Sequence, residues 1–463
     1  MTDATAAISA IRRAAALRTT LDATFRDEAV RSIYSEAARI AGRAVRLPGG
    51  ARLDIDQRID RLVTSPVFGL PIMALLLAIV FWLTIAGANV PSAMLATALF
   101  WVEDQAAALF DAAGLPWWIT GFVWHGVFRG LAWVVSVMLP PMAIFFPLFT
   151  ILEDLGYLPR VAFNLDFLFR RAGAHGKQAL TMAMGFGCNA AGVIATRVID
   201  SPRERLVAIL TNNFVPCNGR FPTLIMLATI FVGAAFPPAF ASVAAAGAVV
   251  GVVIIGVIFT LAVSWALSRT ILRGEASAFT LELPPYRRPG ILRILYTSLI
   301  DRTLFVLWRA ILTAAPAGAV IWILGNIVVG DDNLAGHIAG SLQPLGQAIG
   351  LDGVILLAYI IAIPANEIVV PTMIMVYMGT GVMTELDSFD DLERLLVDQN
   401  GWTLLTAVNL MLFSLLHNPC ATTILTIYKE TLSKKWAAIG ALLPLGLAFL
   451  VTAIVAAVWR LAA

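Results

Sequence analysis

The chain has 463 residues, of which 59% are hydrophobic and 13% charged, with a formal net charge of +2. A soluble domain has about a quarter of its residues charged, so the composition excludes that class and points to a membrane protein. The small net charge and the scatter of basic residues between apolar runs exclude a nucleic-acid-binding surface, and three cysteines, each inside an apolar run, exclude a secreted disulfide framework.

Residues 1–60 are polar, with Arg12, Arg13, Arg18, Arg26 and Arg31 among alternating Ala and Leu. No short apolar core precedes a small-residue cleavage site, and the segment reads as a cytosolic helical lead-in. A spanning helix needs about 20 mainly apolar residues. Stretches 68–88, 122–151, 206–235, 240–268, 305–329, 402–428 and 436–460 qualify. Segment 92–113, with Glu103 and Asp104 among apolar residues at helical spacing, is predicted to be an external interfacial helix. With the first span it fills the region 61–121. Two further apolar stretches, 178–198 and 346–383, are interrupted by "GFGCNAAG" and "IPANEIVVP".

Loop charge sets the orientation, because Lys and Arg stay cytoplasmic. Arg160, Arg170, Arg171 and Lys177 precede the first break and Arg203 and Arg205 follow it, so both of its flanks are cytoplasmic. That pattern predicts a re-entrant hairpin turning near Gly187. The second break lies between a segment with Asp331 and Asp332 and the acidic run "ELDSFDDLE", so its hairpin enters from outside. Two oppositely facing broken elements are the signature of an inverted-repeat transporter. The expected fold is therefore an all-α polytopic membrane protein with repeats at 122–268 and 305–463, joined by a linker, 269–304, whose basic amphipathic helix suits the cytoplasmic membrane surface. It is also a candidate docking surface for a partner.

Polar groups inside a bilayer are functional candidates by default. Repeat one supplies Cys188 and Asn189 at its first break, then Asn212, Asn213, Cys217, Asn218 and Arg220 in "NNFVPCNGRFP"; repeat two supplies Asn366 and Glu367, then His417, Asn418 and Cys420 in "LHNPCATT". Thiol sulfur beside amide oxygen and one carboxylate suits a borderline cation such as Fe²⁺ better than Mg²⁺ or Ca²⁺, which take oxygen shells. Pro216 and Pro419 free nearby carbonyls as weak ligands. Each residue has a second reading: the cysteines as inert buried thiols, Asn189, Asn218, Asn366 and Asn418 as caps of broken helix ends, Glu367 as an ion-pair partner of Arg220. Glu153 and Asp154, at the cytoplasmic end of 122–151, are either solvated charges or, with Arg220, part of a gate or exit. His125, His175 and His337 are expected at interfaces. Neither "GxxxxGK[ST]" nor "HExxH" occurs, so no enzyme activity is expected.

The strings "RIDRLVTSPVFGLPI", "LPPMAIFFPLFTILEDLGYLPRVAF", "GFGCNAAGVIATRVIDSPRERLVAIL", "LELPPYRRP" and "NPCATTILTIYKETLSKKWA" resemble the ferrous iron transporter B family over about residues 55–440. The run "LEDLGYLPRVAF", followed by "GFGCN" and "ATR", is highly specific. Residues 25–45 are similar to the helix that links that family's GTPase domain to its membrane part. The resemblance implies two Gate-type repeats, Fe²⁺ as substrate with no permanently bound cofactor, a multi-pass protein of the cytoplasmic membrane, and a separate GTP-binding partner in trans. The family's motif cysteines carry over to Cys188, Cys217 and Cys420. Departures from its pattern are Ala190 and Ala191 in place of "VP" after "GCN", Asn218 and Gly219 after the second cysteine, and Asn366 in place of a basic residue before Glu367; these bear on which metal is carried. Rival readings are a carrier of a nucleoside-like solute, since Gate repeats also resemble nucleoside carriers, and a non-conducting subunit that binds a GTPase.

Overall fold

The computed structural model describes residues 25–44, 51–65, 67–273, 285–330, 332–384, 386 and 388–462. Of the segments singled out above, 1–24, Asp331, Glu385, Asp387 and the start of the linker at 274–284 lie outside the described residues. Apart from a two-strand pair, Val328–Val329 with Asp332–Asn333, the described elements are helical.

Two helices, α1 (Phe25–Ala44) and α2 (Ala51–Val63), precede the first span. That span, α3, runs unbroken from Gly69 to Ala112 with Pro91 inside it. The expected end near residue 88 and separate interfacial helix are thus one element. Proline removes one hydrogen bond, to the carbonyl four residues back, and the helix continues through it. Glu103 does not end the helix at water either: it is buried, 2.6 Å from His125 Nδ1 and 3.0 Å from Arg129 Nε.

After α3 the chain goes through one sequence of elements twice. The first passage is a long helix α4 (Trp117–Asp154), an amphipathic helix α5 (Tyr157–Arg171), a hairpin of α6 (Gln178–Gly187) and α7 (Asn189–Ala195), a broken helix α8 (Pro202–Thr211) and α9 (Phe221–Leu227), and a closing helix α10 (Pro238–Arg269). A short helix α11 (Ile291–Tyr296) then leads into the second passage. Its members are α12 (Phe305–Asn326), α13 (Leu334–Ala348), the hairpin of α14 (Gly353–Ile361) and α15 (Val369–Met378), the broken helix α16 (Leu404–Leu416) and α17 (Ala421–Thr431), and the closing helix α18 (Lys434–Ala462). A short helical turn at Phe389–Glu393 precedes α16. Among the described residues six helices are long and apolar enough to cross a membrane, with α13 and α14 bent by 111° against each other. The chain is an all-α polytopic membrane protein with broken helices.

The hairpin of α6 and α7 folds back at Gly187–Cys188. A Cβ on Gly192 would stand 2.8 Å from the Thr181 carbonyl, so the two arms run antiparallel and touch where the side chain is absent. The leading helices of the two passages meet in the same way. A Cβ on Gly126 would reach Trp322 at 2.8 Å, and one on Gly130 would reach Gly318 at 2.8 Å. Positions 126 and 130 thus face 322 and 318 in reverse order, and α4 and α12 lie antiparallel as inverted repeats require. Small residues at such a crossing let backbones approach in a bilayer, where lipid is as apolar as the side chains and packing drives association.

Basic residues gather at one end. Arg160, fully buried, grips both carboxylate oxygens of Asp60 at 2.9 and 3.2 Å, donates to the Gly156 carbonyl and stacks on Tyr286 of the linker. Asn164 donates to the Val63 carbonyl at 2.8 Å. Lys177 pairs with Asp200, and Arg197 and Arg205 both pair with Glu430 across the two passages. The positive-inside rule makes this the cytoplasmic end.

Candidate functional site

The hairpin tips and the helix breaks come together at the centre. Cys188 caps α6 with an extended backbone, φ −153°, ψ 123°; Ala365, before the turn Asn366–Ile368, has φ −153°, ψ 122°. The two hairpins therefore turn alike, and Asn189 corresponds to Asn366. Cys217 and Cys420 also correspond: each follows a proline and each is extended ahead of a helical turn, with ψ 170° and 158°. The first break carries a thiol in repeat one and a methyl group, Ala365, in repeat two.

Cys188, Cys217 and Cys420, with Asn189, Asn218, Asn366 and Glu367, line one cavity of about 30 Å³. All three thiols are free. Met138 and Met142, spaced i, i+4 on α4, bring two thioethers to the same wall. Sequence reasoning passed over them, though this spacing beside Pro140 and Pro141 puts both on one helix face. Thr423 also lines the cavity, 3.3 Å from Cys420 Sγ. Among the described residues no group of three or more His, Cys, Asp or Glu side chains could hold a metal ion. The donors line a cavity without closing on one point.

Among the described residues Glu367 forms no salt bridge with Arg220, though the two charges lie close enough to act on each other. The Arg220 guanidinium points to backbone instead. It donates to the carbonyls of Asn213 and Leu415 at 2.9 Å and of His417 at 3.2 Å, and to Asn213 Oδ1 at 3.1 Å. Breaking a helix with proline strands carbonyls, and this one buried arginine from repeat one serves those at the end of α16 in repeat two. Asn213 reinforces it, donating to the His417 carbonyl at 2.8 Å. Asn212 donates to the Asn189 carbonyl at 3.0 Å, fixing the hairpin tip to the break between α8 and α9.

His417 Nδ1 lies 2.9 Å from the Ser414 carbonyl and Nε2 3.2 Å from Asn366 Oδ1. An uncharged imidazole has one N–H, so with Nδ1–H on the carbonyl the Asn366 amide turns its NH₂ to Nε2 and leaves its oxygen for another partner. Asn418 and Arg220 are not on the cavity wall, and Glu153 and Asp154 are exposed at the end of α4, where Asp154 accepts from the Gly290 N–H at 3.2 Å. Of the histidines expected at interfaces, His125 joins Glu103 and His175 is buried in the cytoplasmic turn before α6. Burial pushes the His175 imidazole below its ordinary range, and the Lys177 ammonium holds the Asp200 carboxyl below its own.

A second, larger cavity of about 520 Å³ adjoins the first. Asn218, Gly219 and Glu367 line both.

This architecture defines a polytopic membrane protein with two inverted, broken-helix repeats around a buried thiol-lined cavity. A family model described as Gate, nucleoside recognition, matches residues 135–231 and 307–434, and a second, described as the C terminus of ferrous iron transport protein B, matches residues 249–301. In these matches the chain is similar to the ferrous iron transporter B family. It is 29% identical over 439 residues to the Fe(2+) transporter FeoB of Staphylococcus aureus (strain MSSA476), covering 92% of this chain and 62% of that one. To the Fe(2+) transporter FeoB of Synechocystis sp. it is 30% identical over 411 residues, with 88% and 63% covered. A fusion of Fe(2+) transport protein A and FeoB from Porphyromonas gingivalis is 26% identical over 449 residues, with 86% and 51% covered. The chain thus spans less than two thirds of the length of these relatives. No solved structure matches it.

Proposed function

We propose that this protein conducts Fe²⁺, or a similar divalent transition cation, across the cytoplasmic membrane. The observation that carries the reading is one small cavity at the meeting point of both repeats, lined by three thiols, amide groups and a carboxylate. Soft sulfur with few hard oxygens favours a borderline cation over Mg²⁺ or Ca²⁺. Donors that do not close on one point hold such an ion weakly enough to release it, as transport demands. About 30 Å³ is far below the several hundred Å³ of an organic-ligand pocket, which disfavours a nucleoside at this point. The names of the relatives support iron, and a GTP-binding partner in trans would supply the phosphate loop that these residues lack. Cys188, Cys217, Cys420 and Glu367 are the residues assigned to the path, with Asn189, Asn218 and Asn366 as weak oxygen donors.

The test is flux of Fe²⁺ and of a nucleoside in proteoliposomes, normalised to folded protein. Fe²⁺ flux is expected, and it should fall more in Glu367→Gln than in Cys420→Ser, because the carboxylate is the one full charge on the cavity wall while a hydroxyl partly replaces a thiol. Normal flux from Glu367→Gln removes this residue from the path; nucleoside flux without Fe²⁺ flux overturns the reading.

A further inference from the structure

The larger cavity differs from the thiol cavity in size and in walls. It is bounded by Asn89 and Ser92 of α3, Asn218, Thr223 and Glu367, with Trp133 of α4, and reaches Thr384 ahead of α16. Thr384 belongs to the acidic connection, at the end opposite the basic cluster, so the cavity faces outward. Helix α3 lies outside the segments that the Gate model matches, yet it supplies one wall.

The two volumes set what each cavity admits. A cavity needs about 10–15 Å³ of water-accessible space per water, so a divalent first-row cation with six first-shell waters needs about 60–90 Å³. The outer cavity, at about 520 Å³, holds that assembly. The inner cavity, at about 30 Å³, has room for about two waters, too few for a full hydration shell. Between them stand Asn218, Gly219 and Glu367, which line both. Their fit is close: a Cβ on Gly219 would lie 2.2 Å from Glu367 Oε1. A carboxylate and an amide oxygen at such a boundary can replace waters as they leave the ion.

We propose that the outer cavity is an entry vestibule for a hydrated divalent cation, walled in part by α3, and that Glu367, Asn218 and Gly219 form the threshold where the cation exchanges its water shell for protein donors. This rests on the cation-transport reading for its cargo, while the vestibule and threshold are tested separately. Ser92→Cys is made in the full chain with its native cysteines, in right-side-out vesicles, and treated from outside with a membrane-impermeant trimethylammonium methanethiosulfonate. The expected result is labelling of Ser92→Cys and none of the wild type, whose three thiols lie behind the threshold. Gly219→Ala is expected to abolish divalent flux, and adding it to Ser92→Cys should leave the labelling intact, which shows that the protein is folded. Equal labelling of the wild type overturns the threshold, and an unreactive Ser92→Cys overturns the vestibule. Undiminished flux through Gly219→Ala also overturns the threshold. A wild type with no divalent flux overturns the transport reading, and the labelling contrast still decides whether vestibule and threshold exist.

Discussion

Arg220 holds a full charge at the centre of the membrane part and spends its donors on carbonyls of both repeats. Lysine offers a point charge on a flexible stem and cannot reproduce the planar fork. Each carbonyl left without a donor costs about 1–3 kcal/mol. Arg220→Lys should therefore lower the thermal unfolding midpoint in detergent, and by more than Glu367→Gln, whose side chain has no carbonyl to lose; equal midpoints would count against the bridging role. The three cysteines and Glu367 were legible in sequence because sulfur and a carboxylate beside prolines and glycines in apolar runs are costly to bury without reason. The partner of Arg220 was not. Charge complementarity pointed to Glu367, but carbonyls stranded by a proline break carry no mark in sequence.

At the level of elements, the equal backbone angles at Cys188 and Ala365 make these positions counterparts. Cys217 and Cys420 are a matched pair, so Ala365 is where a fourth thiol would stand. Ala365→Cys should raise affinity for Cd²⁺, read from the ultraviolet thiolate–Cd²⁺ band, and slow Fe²⁺ flux, because a fourth soft ligand deepens a well the ion must leave. An unchanged band would mean that the position does not reach the ion. The two breaks were legible because Gly, Pro and polar side chains interrupt apolar runs at comparable places. The unity of α3 was hidden by Pro91, Glu103 and Asp104, which read as a helix end and a wet surface; only the fold brings His125 and Arg129 to Glu103. The antiparallel seam of Gly126, Gly130 and Gly318 was equally hidden, since glycines 188 and 192 residues apart show no partnership until the helices cross.

Across the whole molecule, the repeats are joined at the cytoplasmic end by Arg197 and Arg205 of the first with Glu430 of the second. Glu430→Gln keeps the shape and removes the charge that draws both arginines in. It should loosen the repeats below the thiol cavity, seen as faster modification of the native cysteines by an impermeant thiol reagent from the cytoplasmic side; an unchanged rate would show that the contact bears no load.

The other cytoplasmic tie fixes where α3 begins. Arg160 and Asn164 hold Asp60 and the Val63 carbonyl just ahead of Gly69. At 1.5 Å per residue the 44 residues of α3 extend about 66 Å, roughly twice the hydrocarbon thickness, and Asn89 lies about 30 Å from the anchored end. Such a rod behaves as a lever. Swinging it by about 5° about Gly69 would displace Asn89 by about 2.6 Å, nearly the diameter of a water molecule. A small tilt of α3 at its cytoplasmic anchor would thereby be magnified into a change of aperture on the opposite side of the membrane.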